Sequence, residues 1–291
     1  TGTTVGAVSL HPEVERIDVL EIERAVVEAA PFFAEHNRNA LAEGLPGLLD
    51  ADDGRGRIVV RLGDGRKTLR DSPATYDVVT MEPLLPDSPF GVHLYTEEAY
   101  ADVKRALKPG GIVCQWVPPH ALAPATYEAV VTAFARAFPG ASVFVSGTQV
   151  ILVSWTGAEP PGPERFPRAA GELAAELASL GLGTPADLAA RRVLRLDDSA
   201  GHGMRLLTDR DPWIAYARRR TGAQLLLDLP ANLPRGPQPG GDLRWTSLAG
   251  DRGLAARELR EARRTHAAIE AGLRGVPLPG GHSDASLRTL L

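Results

Sequence analysis

Three acidic residues in the first half of the chain each close an apolar run, a placement that suits ligand chemistry. Glu21 ends IDVLE, Asp64 stands between glycines in GDGR, and Glu82 follows YDVVTM. An acid at the carboxyl end of a buried strand is where nucleotide-binding sheets grip the two hydroxyls of a ribose, and Glu21 fits that place. The same acid also suits a solvated helix N-terminus, so both readings stand. Gly63 and Gly65 let the backbone around Asp64 turn tightly and approach a ligand. A carboxylate there can accept a hydrogen bond from the exocyclic amine of adenine; a plain Gly-Asp-Gly turn is the competing reading. Glu82 can take a proton from an amine nucleophile or hold its charge. It can equally cap a helix or pair within the loop. Glu21 and Asp64 are expected at the carboxyl ends of adjacent strands, where ligands bind in such sheets, and are stronger together than apart.

Other polar residues carry less. His93 and His120 fall in loops on the same rim, as pocket lining or as satisfied surface histidines. Tyr95 and Trp116 suit pocket wall or core equally. Cys114 lies inside an apolar strand and reads as inert core. Asp197, Asp198 and His202 are close in sequence but match no metal-ligand spacing, so no metal is expected. Arg218–Arg220 reads as a solvated helix end.

These residues need elements to position them. IDVLE (17–21) predicts a buried parallel strand, and Ile22, Val26, Ala29 and Phe33 predict a helix over 22–42. Strands follow at 57–62 and 76–81, separated by the turn GDGR, and then a helix at about 96–107. KPGG stops that helix, and 111–117 is a further strand. A helix over 123–137 precedes two strands, ASVFVS and QVILVSW, which Gly147-Thr148 would join as an antiparallel hairpin. Strands alternating with helices predict an α/β domain with a doubly wound, mostly parallel sheet closed by that hairpin. The expected organisation is a nucleoside-binding domain over 1–156, a proline-rich linker over 157–167, and a mainly helical region over 168–291.

Bulk properties narrow the class. The chain has 291 residues, 44% of them apolar, with 32 basic against 36 acidic side chains and a net charge of −4. No single-sign surface is implied, so nucleic acid is not an expected partner. One cysteine excludes an internal disulfide and fits a reducing, cytoplasmic setting. No run approaches the roughly 18 apolar residues that span a bilayer, and no signal peptide is read at Thr1.

The order and spacing of HPEVERIDVLEIERAVVEAAPFF, RIVVRLGDGRKTL, YDVVTMEP and LYTEEAYADVKRALKPGGIVCQW resemble the spermidine synthase family over residues 1 to about 155. The likeness is greatest to its bacterial fused, membrane-linked branch, whose downstream Thr-Asp-Asp-x-Pro segment LLTDRDPWIAY (206–216) also resembles. The resemblance implies a sheet of the S-adenosylmethionine-dependent methyltransferase type and a part in polyamine biosynthesis. Decarboxylated S-adenosylmethionine, or S-adenosylmethionine itself, would be the co-substrate, and a small amine the acceptor. Glu21 would hold the ribose, Asp64 the adenine amino group, and Glu82 would stand for the aspartate that deprotonates the amine. Gly2 would be the last glycine of the nucleotide loop and Gln115 would line the amine pocket; the residues themselves add Gly65 beside the nucleoside and Tyr95 as a pocket-wall candidate. A homodimer, and a cytoplasmic domain attached to a membrane-embedded segment of the same protein, are further implications.

Departures from the family pattern are specific. Thr1 stands where an aspartate binds the aminopropyl ammonium, Leu85 replaces the second acid of Asp-x-x-Asp-Pro, and the tyrosine-bearing Pro-Thr-Tyr-Pro-Ser-Gly loop is missing. A dication in a low-dielectric pocket needs carboxylate partners, so putrescine is an unfavourable acceptor. The central strand and first glycines of the nucleotide loop are expected from a segment before Thr1 or from elsewhere. Aminopropyl transfer, methyl transfer, and a non-catalytic nucleoside-binding scaffold all remain open on these residues.

Overall fold

The computed structural model describes residues 2–43, 56–83, 85–118, 122–146, 149–157, 171–184, 187–188, 191–196 and 205–216. Two compact units divide the chain: Thr1–Pro73 with Pro167–Gly183, and Ala74–Phe166 with Thr184–Leu291.

In the first unit, β1 (Ile17–Glu21) pairs in parallel with β2 (Ile58–Leu62), in register from Ile17↔Ile58 to Glu21↔Leu62. Ile58 and Val60 bury with Val27, Ala30, Ala40 and Leu41, and Ile17 and Val19 pack against them. The Arg57 guanidinium clamps the approach to β1, donating to the carbonyls of Ser9, His11 and Val14 at 3.1, 2.6 and 2.8 Å.

The single helix expected over 22–42 is broken. It consists of α2 (Arg24–Ala29), a 3₁₀ turn Ala30–Phe33, α3 (Ala34–Asn37) and a second turn Ala40–Glu43, preceded in the chain by α1 (Thr3–Val8). Pro31 supplies no N–H to continue α2, and Arg38 and Asn39 take left-handed φ values of 56° and 54°. The break also changes the buried face: Ile22 is 75% and Val26 40% exposed, while Val27 and Ala30 are buried.

A second correction concerns GDGR, which is more than a turn. Asp64 begins α4 (Gly65–Arg70), which places basic Lys67 and Arg70 in its last turn. Helix α7 (Gly171–Ser179), within the expected helical stretch, is tied to this unit by ion pairs from Arg38 to Glu172 and Glu176.

The second unit is a sheet in the order β3-β4-β6-β5-β7, formed by β3 (Tyr76–Met81), β4 (Leu107–Val117), β5 (Ser142–Ser146), β6 (Gln149–Trp155) and β7 (Arg192–Arg195). The β3–β4 pair is parallel and the remainder antiparallel, with the expected hairpin registering Ser146 against Gln149. β4 begins earlier than expected, at Leu107, and the KPGG segment bulges out: the register jumps from Tyr76↔Leu107 to Val78↔Ile112. Gly110 takes a left-handed φ of 79°, and a Cβ on Gly111 would lie 2.9 Å from the Lys108 carbonyl oxygen, so glycine suits both. β7 is a strand within the region 168–291, expected to be mainly helical. Its Arg195 and Leu194 register with Ser142 and Val143.

Thr96 caps α5 (Glu97–Ala106), accepting from the Ala99 N–H at 3.3 Å, with Glu97 and Glu98 in the first turn and Lys104 and Arg105 in the last. α5 meets α6 (Pro124–Ala137) through Tyr100, Phe134 and Phe138, whose ring centroids lie 5.1–6.4 Å apart. Such ring pairs add about 0.5–1.5 kcal/mol each beyond area burial. The chain is thus α/β, parallel where strands alternate with helices and antiparallel where the sheet closes. Among the described residues, no helix is long and apolar enough to cross a membrane.

Candidate functional site

Parallel pairing brings Glu21 and Asp64 to the same end of β1–β2. Glu21 registers with Leu62, two residues before Asp64, and its carbonyl accepts from the Gly63 N–H at 2.9 Å. Each acid also serves its own turn. Glu21 Oε1 accepts from the Glu23 N–H at 2.8 Å. Asp64 Oδ1 accepts from the Arg66 and Lys67 N–H groups at 2.9 and 3.2 Å, making it the N-cap of α4. In both carboxylates these bonds use one oxygen, which leaves the second as an acceptor. Gly65 is the first residue of α4, and a Cβ there would lie 3.2 Å from Leu20 Cβ, so its lack of a side chain brings the helix start close to β1. Gly2 is the left-handed N-cap of α1, set against Leu41 and Asn37.

The second unit assembles the other candidates. Glu82 is exposed and directly follows β3, whose last residue, Met81, registers with Gln115 of β4. Gln115 is fully buried, and its Nε2 donates to the Trp116 carbonyl at 2.8 Å and the Met81 carbonyl at 3.3 Å. Two carbonyl partners fix which end of the amide is the nitrogen. Gln115 Oε1 is then a buried acceptor with no donor among the described residues. Such an atom carries a desolvation cost of about 1–3 kcal/mol unless a donor reaches it.

Tyr95, open at first between pocket wall and core, belongs to the core. Its side chain is fully buried, its hydroxyl donates to the Pro83 carbonyl at 3.4 Å, and burial pushes its pKa upward. It therefore touches the Glu82 loop rather than a solvent-facing pocket. Trp116 donates from Nε1 to Gln149 Oε1 at 2.6 Å. Burial pushes the Cys114 thiol up to about 11, consistent with an inert residue at neutral pH.

His93 keeps a side-chain exposure of 45%, and its Nδ1 lies 3.4 Å from Asp209 Oδ1. Sequence reasoning missed Asp209, although its setting in TDRDP was visible. His120, Asp197, Asp198, His202, Arg218–Arg220 and most of the 157–167 linker lie outside the described residues. Among the described residues, no group of three or more His, Cys, Asp or Glu is placed to hold a metal ion.

Known proteins extend the picture. The family described as the spermine/spermidine synthase domain matches residues 1–155. A polyamine aminopropyltransferase 2 of Hyperthermus butylicus is 29% identical over 146 residues, covering 50% of this chain and 44% of that protein. A polyamine aminopropyltransferase of Moorella thermoacetica is 34% identical over 111 residues, covering 38% of this chain and 35% of that one. The crystal structure of spermidine synthase from Thermotoga maritima superposes with a TM-score of 0.45 at 21% identity, over 59% of this chain and 57% of that one. The chain thus spans less than half the length of these two aminopropyltransferases. With more than half of its 291 residues matched by the family's domain, the chain belongs to the spermine/spermidine synthase family.

Proposed function

We propose that this chain carries out aminopropyl transfer from decarboxylated S-adenosylmethionine to a small amine. The amine nitrogen bonds to the methylene beside the sulfonium, and the carbon–sulfur electron pair leaves with sulfur as methylthioadenosine. The proton shed by nitrogen passes to the Glu82 carboxylate. Positioning and one base supply the catalysis. The observation that carries this reading is the buried Oε1 of Gln115, one strand from Glu82 and without a donor among the described residues. A protonated amine would supply the donor that this oxygen lacks.

At the nucleoside end, residues 1–156 act as the binding domain. Glu21 would accept from the ribose hydroxyls and Asp64 from the adenine amine, each through the oxygen its turn does not use. Gly65, and Gly2 at the start of α1, would allow close backbone approach. A homodimer in the cytoplasm, or at the cytoplasmic face of a membrane-linked protein, accompanies this reading by family likeness alone.

Leu85 shapes acceptor choice. It stands in the Glu82 loop where a second carboxylate would pair with the far ammonium of a diamine, and an unpaired ammonium in such a pocket costs several kcal/mol. A methylthioadenosine release assay across mono-amines, putrescine, cadaverine and spermidine tests both points. Turnover is expected with decarboxylated co-substrate and an amine, and faster with a mono-amine or a long amine whose far end stays in water. S-adenosylhomocysteine from ordinary S-adenosylmethionine, with no amine-dependent product, would replace this reading with methyl transfer.

Glu21→Gln is expected to weaken methylthioadenosine binding by about tenfold, the loss of one charge-assisted hydrogen bond. Glutamine retains a carbonyl for the Glu23 N–H, so the thermal midpoint should stay near the parent's. Calorimetric titration showing parent affinity would remove Glu21 from the site.

A further inference from the structure

Four consecutive residues, Tyr95 to Glu98, join two segments that are far apart in sequence. Tyr95 reaches back to the Pro83 carbonyl, next to Glu82, at 3.4 Å. The next three residues bond the segment Arg205–Tyr216. Thr96 Oγ1 donates to Asp209 Oδ1 at 2.8 Å, the Glu97 N–H donates to the Leu207 carbonyl at 3.0 Å, and Glu98 Oε2 accepts from the Asp209 N–H at 3.0 Å. Tyr95 and Thr96 are fully buried, as are Leu207 and Ile214. The segment is braced within itself: Arg205 holds Asp211 at 2.7 and 2.9 Å and lies 5.3 Å from the Trp213 ring, and the Asp211 N–H donates to Thr208 Oγ1 at 3.0 Å. A rigid strap is therefore fastened to the residues that follow the Glu82 loop.

We propose that Asp209 is a positioning residue for Glu82, acting through Thr96 and Tyr95, so that the strap 205–216 is part of the catalytic unit although it lies outside the matched domain. This rests on the transfer reaction proposed above. Asp209 takes the Thr96 hydroxyl and stands beside His93, fixing the chain at two points on the far side of the loop. With those points held, the buried Tyr95 hydroxyl keeps the Pro83 carbonyl in place, and the Glu82 carboxylate with it. A base misplaced by about 1 Å can cost as much as a hundredfold in rate.

The test compares the full chain with Asp209→Ala and Asp209→Asn by amide hydrogen exchange and by steady-state methylthioadenosine release. Asparagine keeps a carbonyl that accepts from Thr96; alanine does not. For Asp209→Ala, exchange across Ser88–Glu98 should quicken about tenfold or more. Its kcat should fall about ten- to a hundredfold with the KM for the nucleoside co-substrate unchanged. Asp209→Asn should recover most of both. Parent-like exchange over Ser88–Glu98 in Asp209→Ala overturns the proposal, as does an asparagine variant as impaired as alanine, or a loss of co-substrate binding in step with kcat. Should Asp209→Ala fail to fold, Asp209→Ser, whose hydroxyl is too short to reach Thr96, takes its place. A parent that transfers to no amine would defeat the proposed reaction, while the exchange comparison would still decide the role of Asp209.

Discussion

Glu82→Gln is expected to lower turnover by about a hundred- to ten-thousandfold at neutral pH, the usual contribution of a positioned general base. Glutamine has the shape of glutamate but cannot accept the proton that the attacking amine must shed. Glu82 is exposed at the end of β3, so the substitution opens no cavity in the core. The pH dependence separates a base from a simple anchor. Alkyl amines lose their proton near pH 10, as lysine does, so at neutral pH almost every acceptor molecule arrives protonated. As the pH rises toward that value, more of the acceptor arrives already deprotonated, and the deficit of Glu82→Gln should shrink. An anchor that only holds positive charge would instead show a raised KM for the amine at neutral pH and little change in kcat. The measurement is kcat and KM for methylthioadenosine release between pH 7 and 10, on parent and variant. A variant with parent kcat across that range removes Glu82 from the chemistry.

The strand-end positions of the three candidate acids were readable from the sequence because each follows an apolar run. Apolar runs such as IDVLE and YDVVTM announce parallel strands by composition, and the residue that ends each run must lie at a carboxyl end. Glu21, Asp64 and Glu82 were therefore placed without any knowledge of tertiary contacts. The elements that failed share a different cause. The break at Pro31–Asn39 and the exposure of Ile22 depend on left-handed residues and on which helix face finds a neighbour, neither of which periodicity carries. Gly-Asp-Gly hid the start of α4 because the same residues suit a turn, although an aspartate followed by Arg66, Lys67 and Arg70 is also a capped helix with a basic end. β7 and the role of Asp209 were missed for a third reason. A strand of four residues, and a carboxylate whose partners lie 113 and 116 residues away, acquire meaning only from contacts made across the chain.

Asp64 has two duties in this structure, and two substitutions pull them apart. Its Oδ1 caps α4 through the Arg66 and Lys67 amides, and loss of such a cap costs about 0.5–2 kcal/mol of stability. In the proposed reaction its Oδ2 accepts from the adenine amine, and a hydrogen bond to a charged group is worth about 1.5–3 kcal/mol, roughly 10- to 150-fold in affinity. Asp64→Ala should lose both, with a lower urea midpoint and weak methylthioadenosine binding. Asp64→Asn should lose only the second. Its carbonyl oxygen can still accept from Arg66 and Lys67, because asparagine caps helices about as well as aspartate. The amide NH₂ then takes the place of Oδ2 and meets the adenine amine donor to donor. Affinity should fall at least as far as in Asp64→Ala while the urea midpoint stays near the parent's. Calorimetric titration with methylthioadenosine, alongside urea unfolding of the three proteins, gives both quantities. Parent affinity in both Asp64→Asn and Asp64→Ala would leave Asp64 as a helix cap alone and move the adenine site elsewhere. Weak binding in Asp64→Ala together with parent affinity in Asp64→Asn would show that α4, rather than the carboxylate, shapes the nucleoside site.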